Sequence, residues 1–434
     1  MRFYALILAM FQLSITILSG QSTLGEIRGV IKDPSGAAVG VAEVKATRPA
    51  TGEVRKVTTS ESGTYVLANL EAGTWEVLIE KAGFRTAQSK GIALRAREVA
   101  RVDINLEVGQ VSTEVQIVAQ SQVIQTDMAT LMDSKSGDAL TRLPVNYRAG
   151  TTNTFYAIIS TAPGVQPDAS GNYSVGGGMP FQTTASVDGI SNINVRSNGV
   201  LREMFPSADS VDEVRVSSTN NNAEFAQAGD VTVTSKSGTN DLHGNVYWYH
   251  QNGAFDARDF FAARTPFKVS NDFWFTAGGP VIRNKTFFFG AFEALRNRSQ
   301  RVINATVPTA NFRAGNFSSL STALRDPFNG NAPFAGNIIP SSRINSVSKG
   351  LTDALFPNQT RAGDNVGSPN YSLQKGVLND NDQFDIRGDH NFSSSHRIFG
   401  HYSQKELSGI SPKTFFDTTG NNVGSSNPKN IVGA

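Results

Sequence analysis

The sequence predicts a mainly β protein, and three observations predict it. Short segments rich in β-branched and aromatic residues recur between turn signals. Glycine is frequent, at 40 of 434 residues, and phenylalanine stands at 27, a composition of strands joined by turns. Towards the end of the chain, apolar and polar residues alternate in the way that strands with two different faces require.

Composition removes several function classes. The 39 basic and 37 acidic residues give a net charge of +2 and are interspersed, so the basic stripe of a nucleic-acid partner is missing. There are no cysteines, which excludes disulfide frameworks, thiolate metal sites and cysteine nucleophiles. The five histidines, His243, His250, His390, His396 and His401, show neither metal-ligand spacing nor a Ser/His/Asp arrangement. No catalytic residue, metal or cofactor is therefore expected.

Residues 1–20 read MRFYALILAMFQLSITILSG, with Arg2 ahead of an apolar run and small residues at its end. That is the pattern of a secretory signal peptide, and the run is shorter than the ~20 residues a spanning helix needs. Gln21 stands where a lipoprotein would have cysteine, so no lipid anchor is expected.

From Ser22 to Gly109 the strand-like segments EIRGVI, VAEVKAT, VRKVTT, TYVLANL, TWEVLIE and ARVDINLEVG are separated by DPSG, ATG, ESG, EAG and KAG. This rhythm predicts an all-β sandwich. Pro34 presets a turn, Gly36, Gly63 and Gly83 supply positive φ, and Ile27, Val44, Tyr65, Leu67, Trp75, Val77 and Ile79 supply the core. GVIKDPSGAAV, TTSESGTYVLANLEAGTWEVLIEKAGF and RVDINLEVG resemble the carboxypeptidase regulatory-like domain. The resemblance implies a transthyretin-like sandwich without a peptidase site.

Residues 110–126 read as a linker. Within it Glu114, Val115, Gln116, Ile117, Val118 and Ala119 alternate polar with apolar. Such a segment is either a further sandwich or plug strand or, in the TonB-dependent family, a TonB box that pairs with the energy-coupling protein by strand addition.

Residues 127–242 contain VDGISN, VDEVRV, NAEF and TSKSGTN in that order, and they resemble the plug of Oar-like TonB-dependent receptors. Val187, Ile190, Val214, Val216, Val231 and Val233 predict a small mixed sheet, with Gly176 to Gly178, Gly189 and Gly238 at its sharp turns. Asp188 and Gly189 read as a plug turn rather than an active site, since no base or nucleophile lies nearby in sequence. The triple glycine lacks the lysine and Ser/Thr of a phosphate cradle. Two departures from the family pattern mark local alteration: the segment NYRAGTTNTFYAIISTAPGV, and Asp230 where a second glycine is usual.

From His243 to Ala434, QFDIRGDHNF puts Phe384, Ile386 and Gly388 on one face and Gln383, Asp385, Arg387 and Asp389 on the other, and RIFGHYSQ repeats the pattern across a tight turn. Apolar-out, polar-in alternation predicts a barrel hairpin. GNVYWYHQN and TFFFGAFEAL carry aromatics of the kind found in interfacial girdles. FDARDFFA, GGPVIRNKTFFFGAFEALR and FAGNIIPSSRINSVSKGL resemble the start of an Oar-like barrel. There is room for roughly eight strands, whereas plugged transporters close with about 22, so an incomplete barrel is expected. The resemblance as a whole implies an N-terminal transthyretin-like β-sandwich, a small mixed α/β plug domain and a partial antiparallel outer-membrane β-barrel. It further implies a cell outer-membrane location and energy-coupled uptake of an unidentified extracellular ligand, with the TonB complex and outer-membrane lipid as partners. The alternative function is a cell-surface adhesion or carbohydrate-binding protein acting through the sandwich.

Overall fold

The computed structural model describes residues 22–109, 116–118, 130–142, 159–167, 173–179, 182–194, 199–201, 204–219, 227–258, 265, 267–361, 369–394, 396–412, 421–426 and 429–433. The expected signal peptide and the candidate positions Glu114, Val115 and Ala119 lie outside the described residues.

The first unit is a two-sheet sandwich. Its strands are β1 (Gly25–Lys32), β2 (Glu43–Arg48), β3 (Glu53–Thr58), β4 (Thr64–Leu70), β5 (Gly73–Glu80), β6 (Ala87–Leu94), β7 (Val99–Arg101) and β8 (Ile104–Asn105). One sheet runs β4-β1-β7 with β8 also on β1, and the other runs β3-β2-β5-β6. All seven core residues expected from the alternation are buried, because inward side chains of each strand recur every second residue. Gly36, Gly63 and Gly83 take φ of 87°, 72° and 89°, as their corners require. Strand β6 was not legible in the sequence: AQSKGIAL has few large apolar residues, and Gly91 at φ 70° interrupts its alternation.

The segment Gln116–Val118 forms β9, parallel to β6, and extends the second sheet of the sandwich by one strand.

The middle unit holds β10 (Leu131–Ser136), a short helix Gly137–Arg142, β11 (Val165–Pro167), β12 (Tyr173–Val175), β13 (Thr183–Val187), β14 (Ile190–Ser191), β15 (Ile193–Asn194), β16 (Gly199–Val200), β17 (Val211–Thr219) and β18 (Gly229–Ser235). Its main sheet has the order β10-β17-β18-β13-β14. It is mixed, since β13 runs parallel to β18 and the other pairs are antiparallel. Val187, Val214, Val216, Val231 and Val233 are buried in its core; Ile190 is half-buried.

The third unit is one antiparallel sheet of β19 (His243–Asn252), β20 (Lys268–Ile282), β21 (Thr286–Ala305), β24 (Tyr371–Asn391), β25 (Arg397–Pro412), β26 (Asn421–Ser426) and β27 (Lys429–Gly433); the small strands β22 (Arg325–Asp326) and β23 (Ala332–Pro333) lie in the long β21–β24 connection. Among the described residues β19 does not pair with β26 or β27, so the sheet is open. Alternation holds as expected: Phe384 and Ile386 are exposed while Gln383, Asp385, Arg387 and Asp389 are buried. On the outer face Phe273, Phe275, Phe288 and Ile398 continue an exposed apolar band, of the kind that marks an interaction surface or a lipid-facing wall. The band ends where Arg296 pairs with Asp382 at 2.8 Å and Arg298 pairs with Asp380.

The girdle expectation needs correction for four of its seven aromatics, Tyr247, Tyr249, Phe287 and Phe289. Tyr247 and Tyr249 lie against Trp274 at 5.3 Å each, and Trp274, Phe287 and Phe289 are buried on the inner face. Consecutive aromatics in a strand must face opposite sides, so Trp248 and Phe288 point out and their neighbours point in.

Candidate functional interface

The inner face of β24 and β25 meets the middle unit through buried charge. Asp188 sits at φ 50°, followed by Gly189 at φ 83°, in the two-residue turn between β13 and β14. Both central residues need positive φ in such a turn, which suits an Asp-Gly pair. The turn aims the Asp188 carboxylate at the end of β18, where Ser235 donates to it from its backbone N–H at 2.8 Å and from its hydroxyl at 2.7 Å. From the sheet, Arg387 Nη1 donates to Asp188 Oδ1 at 3.2 Å, to Ser235 Oγ at 2.8 Å and to the Ser235 carbonyl at 3.1 Å. The rest of the guanidinium holds Asp389, with Nη2 at 2.9 Å. His401 Nδ1 lies 3.0 Å from Asp188 Oδ2.

A buried carboxylate survives only if paired. Burial alone would push the Asp188 carboxyl up, but the hydrogen bond from His401 and the charge of Arg387 outweigh it and bring the pKa down to about 2. An ionised carboxylate accepts only, so His401 Nδ1 is the donor. A second contact lies one row further along the strand: Asp385 accepts from the Ser207 backbone N–H at 3.0 Å and from Ser403 Oγ at 2.5 Å, and Gln383 donates to the Phe205 carbonyl at 2.9 Å. On the neighbouring wall Thr276 donates to Asp209 at 3.1 Å, and Lys236 pairs with the same carboxylate.

Gly238 serves this interface differently from the sequence expectation. It is not a positive-φ corner. A Cβ there would stand 2.3 Å from the Phe288 carbonyl oxygen and 2.6 Å from that of Gly279, so glycine is needed where the chain leaving β18 passes against the strand backbones.

Asp188, Ser235 and His401 are the residue types of a hydrolytic relay, but their connectivity is not that of one. In a relay the imidazole stands between carboxylate and hydroxyl; here the carboxylate stands between imidazole and hydroxyl. What the arrangement can do is hold one unit against another. Asp188 supplies a pH test with a defined sign. Its folded pKa lies below its ordinary value of 3.8, so its contribution is present above that value and is lost as pH falls towards 2. At about 1.36 kcal/mol per unit the loss is on the order of 2 kcal/mol. Amide hydrogen exchange in β13 and β18, corrected for intrinsic rates, should rise between pH 5 and pH 2.5, and unchanged protection would remove Asp188 as an anchor.

The sandwich covers the short-turn end of the sheet, next to this contact, and meets the middle unit as well. Glu213 accepts from the Ala96 backbone N–H at 2.9 Å, Arg215 donates to the Ala96 carbonyl, and Arg97 pairs with Asp230 at 3.4 Å. Burial pushes the carboxyls of Glu213 and Asp230 up. Asp230, one of the two departures from the family pattern, thus lies where the sandwich meets the middle unit. Asn240 receives further support, its N–H donating to the Ala50 carbonyl at 2.8 Å while its side chain bonds Asn284 at 2.7 Å. Glu71 pairs with Arg397, and Arg55 donates to the Ser394 carbonyl. Sequence reading missed Arg387 and His401 as site residues. It placed both on the polar face, but nothing in the sequence names a partner some two hundred positions away.

Two family models match the chain: the outer membrane beta barrel domain over residues 234–433 and the carboxypeptidase regulatory-like domain over residues 26–107. The TonB-dependent transporter Oar of Myxococcus xanthus is 26% identical over 277 residues, which are 60% of this chain and 26% of that protein. The chain therefore spans about a quarter of that relative's length. Among solved structures, the ferric enterobactin receptor of Pseudomonas aeruginosa covers 64% of this chain and 33% of its own at 14% identity and a TM-score of 0.35. The outer membrane transporter YddB of Escherichia coli covers 65% and 34% at 11% identity and a TM-score of 0.39.

Proposed function

Because the chain is a homologue of the TonB-dependent transporter Oar and carries an outer membrane beta barrel domain and a carboxypeptidase regulatory-like domain, we propose that it acts in energy-coupled uptake across the outer membrane. In this reading residues 1–20 export the chain, the middle unit is the plug, and the open sheet is the wall against which the plug seats. The observation that carries the reading is the Asp188–Arg387–His401 contact. A plug must be held firmly at rest and released under force, and a buried ion pair serves both needs, since it is strong while dry and weakens once water enters.

The path of force begins at β9. Gln116–Val118 lies on β6 of the sandwich, and the sandwich grips the plug through Ala96 and Arg97. An energy-coupling partner that adds a strand at Glu114 to Ala119 would therefore pull on the sandwich and through it on the plug. Main-chain hydrogen bonds carry the affinity of strand addition. Proline deletes a donor and fixes φ. Gln116→Pro or Val118→Pro is accordingly expected to abolish binding to the TonB C-terminal domain and uptake, while the protein still reaches the outer membrane. Binding as tight as that of the parent would place the box elsewhere.

A further inference from the structure

The connection between β21 and β24 folds into a unit of its own, with a helix Ser346–Leu355, and forms a half-open cavity of about 540 Å³. It lies at the end of the sheet away from the β20–β21 and β24–β25 connections, and hence away from the sandwich. The volume falls within the range of small-molecule sites.

The lining decides what it can take. Its apolar walls include Val307, Phe312, Phe317, Ile339 and Ile344, with the Phe312 and Phe317 rings stacked at 4.9 Å. Most of the polar groups beside them are already engaged, the Ser348 hydroxyl and part of the exposed Lys349 ammonium aside. Arg313 donates to the carbonyls of Pro308, Thr352, Phe356 and Pro357 and to Asp353 at 3.1 Å. Lys349 holds the other oxygen of Asp353 at 2.6 Å. Asn370 exchanges both its amide groups with the Val307 backbone, and Thr352 donates to the Ser348 carbonyl. An ionic or hydroxyl-rich ligand would have to break these bonds, whereas an apolar body displaces only water with few partners.

We propose that this cavity captures a small uncharged ligand with an aromatic or aliphatic body. The proposal rests on the receptor reading only for the side of the membrane that the cavity faces, which is then the outside.

The chain has no cysteine, so Ser348→Cys places a single thiol at the exposed edge of the cavity, and Ser321→Cys places one on the same connection away from it. The full chain in lipid vesicles is treated with a thiol reagent in the presence of naphthalene, maltohexaose or ferric citrate. Naphthalene at about four times its Kd should slow modification at Ser348→Cys about fivefold, following one-site occupancy, with no effect at Ser321→Cys. Adding Ile344→Trp should abolish the protection. Should that variant fold poorly, Ser348→Trp with Lys349→Cys as reporter blocks the cavity from its exposed side. No protection, equal protection at Ser321→Cys, or protection by maltohexaose or ferric citrate equal to that by naphthalene overturns the proposal. The assay contains no coupling protein or energised membrane. Protection without uptake in cells would sink the transport reading and leave the cavity assignment standing.

Discussion

Arg387→Ala is expected to destabilise the seating of the middle unit by about 3 to 5 kcal/mol, the usual cost of removing one partner from a buried ion pair. The guanidinium is 8% exposed and serves Asp188 and Asp389 at once, so its loss takes a charged partner from two buried carboxylates, leaving Asp188 to Ser235 and His401 and Asp389 to Arg397. Arg387→Lys keeps the charge but cannot reproduce the fork, and should fall between parent and alanine variant. The measurement is protease sensitivity of residues 159–235 against that of the strands, together with a double-mutant cycle on Asp188→Ala. If Asp188 and Arg387 act as one unit, the double variant costs at least about 1 kcal/mol less than the sum of the singles. Additive losses would mean that the contact does not anchor the unit.

Trp75→Ala is expected to cost the sandwich about 3 to 5 kcal/mol, the range for deleting a large aromatic from a packed core. The ring is fully buried, and its Nε1 donates to the Glu71 carbonyl at 2.9 Å. The variant loses packing and strands an acceptor. Residues 22–109 contain a complete core cluster, so thermal unfolding of that segment alone should be cooperative, with Tm lowered by at least about 12 °C in the variant. A shift of a few degrees would show that the sandwich collapses around the gap. Because Glu71 also pairs with Arg397, the full chain should in addition loosen its grip at the β24–β25 turn.

The sandwich core was legible residue by residue because it rests on local rules: strand alternation with period two, and glycine where a corner demands positive φ. The β24–β25 hairpin was legible for the same reason, its two faces being written in adjacent residues. Strand β6 was missed because its burial comes from neighbours rather than from its own apolarity. Gly238 was read as a corner because a close approach between distant backbones leaves the same single-letter mark as a turn.

Local sequence sets the mainly β class, the polar inner face bearing Arg387 and His401, and the Asp188-Gly189 turn, since each follows from neighbours along the chain. That Asp188 faces Arg387 and His401, that Asp230 meets Arg97, and that Gln116–Val118 lies along β6 follow from the packing of the folded chain. These contacts join residues far apart in sequence, and a charge on a polar face signals that it needs a partner without naming which one.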